Sequence, residues 1–513
     1  MRNGILILDF GSQYTQLIAR KIRELNFYAE IHPYNLDIKE IHKQQPAGII
    51  LSGGPHSVYG KHDIRVDKEI FSLNIPVLGI CYGLQLIAHL KGGKVDRASN
   101  REYGAAVLKI KSSAGLLSGI KNNNRVWMSH GDKVTKLPDG FKSIAETDSS
   151  AYAAIMNEKE KIYGVQFHPE VHHTNHGKVL LKNFCVKICK LKPNWNMKNF
   201  AKEKITEIKE TTGNERVLLG LSGGVDSTVT AKLLHEAIGD NLSCVYVDNG
   251  LMRAGETEAV IKRFRDYFGI PLHVVFAEKS FLKELKGVTD PEKKRKIIGR
   301  VFLEEFRKKA KQIGHHEFLA QGTLYTDVIE SVSVKGPSET IKSHHNRVAE
   351  VQKLIEAGKV VEPLKELFKD EVRRLGLTLK IPRELLFRHP FPGPGLAIRV
   401  LGEITKERLE LLRKADTILL DELKTTGLYA KVWQAFVVLL PVKSVGVMGD
   451  NRTYENVAAL RVVESHDGMT ADFAKLPHAF LGKTSNRIIN EVSGINRVVY
   501  DISSKPPATI EWE

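Results

Sequence analysis

The chain has 513 residues, too many for a single hydrophobic core, and at roughly 150 residues per domain about three are expected. With 42% hydrophobic and 27% charged residues, it is not a largely disordered chain. The longest apolar run, Ala435 to Leu440, stops at Pro441, far short of the ~18 residues of a spanning helix, so no membrane partner is expected.

Lys+Arg 76 against Asp+Glu 60 leave a charge of +16, which suits a polyanion, either nucleic acid or phosphorylated small molecules, or a merely lysine-rich surface. The N-terminal MRNGILILDF has too short an apolar stretch for a signal peptide. Four cysteines make no disulfide framework, so a reducing, cytoplasmic setting is expected.

The first elements alternate. Ile5–Leu8 reads as a buried strand, and Gln13 to Glu24 follows with helical spacing. Gly48–Leu51 and Pro76–Ile80 are further apolar runs ending in turn residues, the pattern of a mostly parallel sheet. The polar, proline-containing Leu191 to Asn196 predicts a linker. A second α/β pattern follows, with strands at Arg216–Leu221, Leu242–Val247 and Leu272–Phe276. Beyond the Pro/Gly cluster His389 to Gly395 come an amphipathic helix from about Lys406 to Leu423 and strands at Gln434–Leu440, Val445–Met448 and Arg497–Ile502. The expected fold class is α/β: two doubly wound, mostly parallel-sheet domains, 1–194 and 195–388, and a smaller C-terminal α+β domain, 389–513.

Gly79-Ile80-Cys81-Tyr82-Gly83 joins a strand to a helix. Glycines two before and two after a nucleophile permit a nucleophile elbow, and a helix N-terminus favours the thiolate. His168 and Glu170, in the strand-like Tyr163 to Glu170, project to one side of an extended chain, as a base and its orienting carboxylate would. Ser52-Gly53-Gly54-Pro55 ends another strand and offers backbone amides for an oxyanion hole, with Gly54 and Tyr82 the expected donors. Cys81 alone would read as a structural thiol; the combination is sharper. It resembles the class I glutamine amidotransferases, which implies attack of Cys81 on glutamine's side-chain amide and release of ammonia. Cys185, Cys189 and Cys244 lack such a setting.

The segment Ser222-Gly223-Gly224-Val225-Asp226-Ser227-Thr228 follows a strand and opens a helix. Glycines let the backbone approach phosphate, and the helix start supplies amide donors. No Gly-Lys-Ser/Thr follows. The loop resembles that of the ATP pyrophosphatases, which implies ATP binding by these seven residues and makes Asp226 the candidate Mg²⁺ ligand. Asp248-Asn249-Gly250 and Gln321 to Asp327 end other strands on the same sheet edge, where nucleotides bind.

The third region carries Phe391-Pro392-Gly393-Pro394-Gly395-Leu396, Gly446-Val447-Met448-Gly449-Asp450 and Lys505-Pro506-Pro507-Ala508-Thr509-Ile510-Glu511-Trp512-Glu513. With Lys342-Ser343-His344-His345-Asn346, these are similar to motifs of the GMP synthetases over essentially the whole chain. The resemblance implies ATP, XMP and glutamine as substrates, with the xanthine 2-oxygen adenylylated and AMP displaced by ammonia. It also implies Mg²⁺ with the ATP and no organic prosthetic group, a homodimer, no nucleic-acid partner, and XMP contacts at Arg295, Lys505, Ile510 and Glu511. The chain departs from that family at Arg347-Val348-Ala349-Glu350, where Gly-Gly-Leu-Pro is common. The alternative is an RNA-modifying ATP pyrophosphatase transferring sulfur or an amide, which would use the basic charge for tRNA but leave the Cys81 triad without purpose. A non-enzymatic nucleic-acid-binding protein would explain the charge and neither loop.

Overall fold

A computed structural model describes residues 3–59, 64–332, 356–448, 451–465, 468 and 470–513. They form two compact units, one built on the described parts of Met1–Phe200 and Ile329–Thr340 and the other on Ala201–Val328 with the described part of Ile341–Glu513.

In the first unit, β1 (Ile5–Asp9), β2 (Ala29–Pro33), β3 (Gly48–Leu51), β4 (Val77–Ile80) and β9 (Ile162–Val165) pair in parallel in the order 2-1-3-4-9. The antiparallel β8 (Ala154–Asn157), β7 (Lys142–Glu146), β5 (Lys94–Ile110) and β6 (Asn124–Lys136) complete a nine-stranded sheet. β3, β4 and β9 are buried at every position, which is why they read as continuous apolar runs rather than alternating ones. Helix α1 (Thr15–Glu24) turns Ile18, Ala19 and Ile22 to the core, and α3 (Tyr82–Leu90), after the short α2 (Ile38–Gln44), is buried from Tyr82 to Ala88.

The expected linker is not loose. Trp195 is 2% exposed, its ring 5.0 Å from that of Tyr28 and 5.5 Å from that of Phe200. The segment is irregular and ends just short of the unit boundary at Phe200, as a linker does, and burial of this one indole packs it down.

The second unit holds a five-stranded, all-parallel sheet in the order β12 (Leu272–Phe276), β11 (Leu242–Asp248), β10 (Val217–Leu221), β13 (Phe318–Ala320), β14 (Val360–Val361). A mixed four-stranded sheet pairs β15 (Gln434–Met448) with β16 (Asn451–Glu464), and β16 with β17 (Asp472–Phe473) and β18 (Ile495–Tyr500). One apolar core runs through both, from Leu218 and Val245 to Val437, Leu460 and Ile488. Two parallel-rich sheets with a smaller strand-rich C-terminal region are the expected fold class.

One boundary differs. Pro441 does not end its strand; β15 is continuous, and its register against β16 shifts between Leu439 and Lys443. The proline sits in that irregularity, where the missing N–H costs no ladder bond.

Candidate functional site

In the first unit, β4 delivers the chain to Cys81, which caps α3 at φ +52°, a conformation that is strained without glycine's freedom. Close packing enforces the turn. A Cβ on Gly79 would lie 2.5 Å from the carbonyl carbon of Gly83, and one on Gly83 would lie 2.3 Å from Leu51 O. The Cys81 N–H donates to Val165 O at 2.8 Å and the Gly83 N–H to Ser52 O at 3.1 Å. The elbow therefore hangs between β3 and β9.

His168 and Glu170 stand where the sequence places them, for a different reason. β9 ends at Val165, so they lie in the turn beyond it rather than on one face of a strand. The His168 N–H donates to Trp127 O at 3.0 Å, and Thr174 Oγ1 donates to His168 O at 2.6 Å. This fixes the backbone so that His168 Nδ1 and Glu170 Oε1 are 2.8 Å apart.

Cys81, His168 and Glu170 are 4%, 3% and 1% exposed. Burial disfavours the imidazolium, but the Glu170 carboxylate and the hydrogen-bonded Cys81 thiol outweigh it and hold His168 well above its ordinary pKa. The thiol also reaches Ser129 O at 3.6 Å and lies 3.8 Å from Gln166 Nε2. The other three cysteines are inert by comparison: burial pushes Cys185 up to about 12, and Cys189 and Cys244 higher still.

Of the expected oxyanion donors, Gly54 packs so closely that a Cβ there would lie 2.8 Å from Phe10 O. Tyr82 opens α3 with its hydroxyl bonded to Ile64 O at 2.7 Å. A Cβ on Gly53 would lie 3.1 Å from His168 Cε1, which brings the Ser-Gly-Gly-Pro turn against the imidazole. Sequence reasoning passed over Gln85, one turn along α3, whose Nε2 donates to Asp132 O at 2.8 Å and ties the elbow helix to β6.

In the second unit the loop from Ser222 leads from β10 into the helix Val225–Ile238, so Val225 to Thr228 are its first turn. Gly223 takes φ +73°, where a Cβ would also lie 2.9 Å from Val260. Hydroxyls knit the loop: Ser222 Oγ and Ser227 Oγ are 3.1 Å apart, and Thr228 Oγ1 donates to Gly224 O at 2.7 Å.

Three cations missed in the sequence surround it. Lys369 Nζ, on the helix Lys369–Thr378, donates to both carboxylate oxygens of Asp226 at 2.7 and 2.6 Å. Arg388, fixed by a two-pronged pair with Glu256 at 2.7 and 2.9 Å, donates to Gly223 O at 3.2 Å, as does Arg263 at 3.4 Å. No local pattern marks them, because they lie between 40 and 165 residues from their partners.

Asp248 ends β11 and Gln321-Gly322 follows β13, so both expected turns share the carboxyl edge with the loop. A Cβ on Gly322 would lie 3.6 Å from Asp226 Cβ. Among the described residues, no group of three or more His, Cys, Asp or Glu side chains is placed to hold a metal ion.

The expected XMP residues are only partly brought together. Glu511 accepts from Arg399 at 2.8 and 3.1 Å and from Gln434 at 2.7 Å. Ile510 packs on Phe436, Val438 and Ala459. Lys505 Nζ donates to Gly468 O at 2.8 Å, and its backbone bridges Ala471. Arg295 stands on the helix Pro291–Ile313 paired with Glu292; its neighbour Lys294 turns inward to Glu513. Lys342 to Asn346, Arg347 to Glu350, Gly449 and Asp450 lie outside the described residues.

Comparison with known proteins fits this geometry. Residues 6–188 match the glutamine amidotransferase class-I family, 196–275 the NAD synthase family, and 421–512 the GMP synthase C terminal domain. The glutamine-hydrolyzing GMP synthase of a Nitratiruptor species is 61% identical, over 99% of both chains. Those of Brachyspira hyodysenteriae and Aquifex aeolicus are 56% and 58% identical, each over 100% of both chains. An elbow cysteine paired with histidine, a phosphate-type loop on a parallel sheet and this likeness from end to end lead to one assignment: the chain belongs to the glutamine-hydrolysing GMP synthases.

Proposed function

We propose that the chain makes GMP, AMP, pyrophosphate and glutamate from XMP, ATP and glutamine, with residues 1–194 releasing ammonia, 195–388 activating XMP and 389–513 binding it. The observation that carries this reading is the buried Cys81–His168–Glu170 arrangement on the same chain as the Ser222–Thr228 loop.

In the first step the Cys81 thiolate attacks the amide carbon of glutamine. The His168 imidazolium gives its proton to the departing ammonia, and the neutral imidazole then activates the water that releases glutamate. Glu170 holds the ring and stabilises its charged form. The backbone N–H groups of Gly54 and Tyr82 are the proposed donors to the tetrahedral oxyanion.

In the second step the loop amides of Ser222 to Thr228 cradle the ATP phosphates while the xanthine 2-oxygen attacks the α-phosphorus and pyrophosphate leaves. Ammonia then adds at C2 and AMP departs. Lys369, Arg263 and Arg388 supply the positive surroundings that pyrophosphate needs. Asp226 offers a hard carboxylate at the start of the loop helix, whose two oxygens the Lys369 ammonium holds in this structure; Mg²⁺, an ion bound through one or two carboxylates plus phosphate oxygens, would take that ammonium's place and would neutralise charge on the leaving pyrophosphate. Lys505, Ile510, Glu511 and Arg295 are the proposed XMP contacts.

A homodimer through the C-terminal sheet is supported by exposed apolar side chains on the outer half of β15–β16. Val445 and Val447 alternate onto one face, and Tyr454 is the register partner of Val445. Among the described residues no helix is long and apolar enough to cross a membrane, and a cytoplasmic location is part of the same proposal.

The test is incubation with XMP, MgATP and glutamine, resolving nucleotides by chromatography. GMP and AMP in equal amounts, with pyrophosphate, are expected; ATP turnover that requires RNA and yields no GMP would overturn the reading.

A further inference from the structure

Two guanidinium groups lie over the aromatic ring of Phe391. Arg253 stands 5.0 Å from its centroid and Arg399 5.2 Å, both within the ~6 Å over which a ring face attracts a cation. The ring is partly buried against the unit's main core, so these attractions are less screened than at an open surface.

Arg253 is carried by the expected nucleotide turn and anchored in the C-terminal region, and Arg399 is anchored to Glu511. Arg253 belongs to the turn after β11. Its Nε donates to Asp416 at 2.7 Å and its Nη2 to Ala435 O at 3.2 Å. The same turn is gripped at successive carbonyls: Arg413 donates to Gly250 O and Met252 O, and the Leu396 N–H donates to Leu251 O at 2.7 Å. On the other side Arg399, fully buried, holds both oxygens of Glu511 and stacks on Phe436 at 4.0 Å. Arg253 and Arg399 are 146 positions apart, and nothing in the local sequence pairs them.

A carboxylate oxygen shared between Arg399 and a bound purine neutralises Arg399 less. The guanidinium then holds the ring more firmly, and a ring held in place holds Arg253 and the turn that carries it, so the second nucleotide meets a turn already ordered.

We propose that Phe391 is a positioning residue that links the nucleotide turn at Asn249–Arg253 to Glu511, so that XMP and ATP strengthen each other's binding. This rests on the functional reading above, in which Glu511 faces XMP and the β11 turn faces ATP. Coupling of this kind is reciprocal: whatever factor XMP applies to ATP affinity, ATP applies to XMP affinity.

The experiment measures the XMP dissociation constant calorimetrically on the full chain, without and with saturating α,β-methylene ATP, which cannot turn over. Wild type should bind XMP at least about fivefold more tightly with the analogue present. Phe391→Met, which keeps apolar volume but has no ring face, should bring that ratio to within about twofold of one, whereas Phe391→Tyr should keep it. Phe391→Leu gives the same test should the methionine variant not fold. A wild-type ratio of one, or a wild-type ratio retained in the methionine or leucine variant, overturns the proposal. A residue that merely packs would change both affinities together and leave the ratio alone. Absence of GMP synthesis by the wild type would instead refute the functional reading, so the two failures are told apart.

Discussion

Replacing Glu170 with glutamine removes one charge and almost no volume. The lost partner lies 2.8 Å from His168 Nδ1, with the carboxylate 1% and the imidazole 3% exposed. At an effective dielectric near 20, unit charges about 4 Å apart interact by ~4 kcal/mol. Divided by ~1.4 kcal/mol per decade, that is roughly a thousandfold in rate if the interaction is realised only when the ring is charged.

A tautomeric effect acts in the same direction. An amide NH₂ facing Nδ1 makes that nitrogen an acceptor, which leaves the proton on Nε2 and the ring unable to take one from Cys81. The assay is single-substrate kinetics of GMP formation with glutamine, beside the same assay with ammonium chloride. We expect kcat with glutamine to fall about 10³-fold, within a range of 10² to 10⁴, and the ammonia-driven rate to stay within about twofold. A loss under tenfold, or an equal loss of both activities, would refute the argument. Thermal melting separates the cases: removing one partner of a buried pair destabilises the fold, so an equal loss of both activities with a lowered midpoint marks a structural role, and loss of glutamine use alone in a folded variant marks the chemical one.

Four further outcomes are expected. Cys81→Ala should abolish glutamine-dependent synthesis and, with ammonium at alkaline pH, still give GMP and AMP in equal amounts by chromatography; intact glutamine use would sink the nucleophile assignment. Because His168 is held well above its ordinary pKa, the acid that protonates departing ammonia persists through neutral pH and is lost only as pH rises past that elevated value. Glutamine-driven synthesis should therefore fall on the alkaline side while ammonia-driven synthesis climbs with the free-base fraction, and parallel profiles would contradict this. Asp226→Ala should remove synthesis with either nitrogen source, since both need the adenylylating loop; near-normal rates at saturating Mg²⁺ would dismiss the carboxylate's role. Lys505→Ala should weaken XMP use by roughly 1.5–3 kcal/mol, the range for a charged hydrogen bond, with ATP use little changed. Equal weakening of both substrates would assign its bond to Gly468 O to holding the tail.

What the sequence made legible was local. The elbow needs glycines at fixed offsets from Cys81 because strand and helix touch there, and the pyrophosphate loop needs them where backbone meets phosphate; both requirements are written within seven residues. His168 and Glu170 were paired correctly on a wrong account, since a two-residue spacing brings side chains together in this turn as well as in a strand. Lys369, Arg388, Arg263 and Arg399 left no trace, because their partners lie across the unit and any cation in an amphipathic stretch reads as solvated. The linker at Leu191–Asn196 stands as an irregular segment just before the unit boundary, though burial of Trp195 packs it down, whereas the break at Pro441 failed because a missing N–H is a weak term beside the pairing of β15 with β16.

The same distance effect decides how the positive charge should be read. A surplus of +16 suggests a polyanion only if the cations are at the surface. Lys294, Arg399 and Arg461 have fully buried side chains. Arg461 donates to the carbonyls of Ser503, Thr509 and Ile510, and Lys294 to those of Ala397 and Val400 besides Glu513. A cation taken out of water must be matched in this way or it destabilises the fold, so these three act as clamps on the tail that follows β18. Arg263, Arg388 and Lys369 instead converge on Gly223 and Asp226, where two carboxylates, Glu256 on Arg388 and Asp226 on Lys369, face three cations. Charge left over beside a phosphate-type loop is the charge that a triphosphate meets. Whole-chain arithmetic adds the clamps and the phosphate-facing group into one figure; only their partners tell them apart.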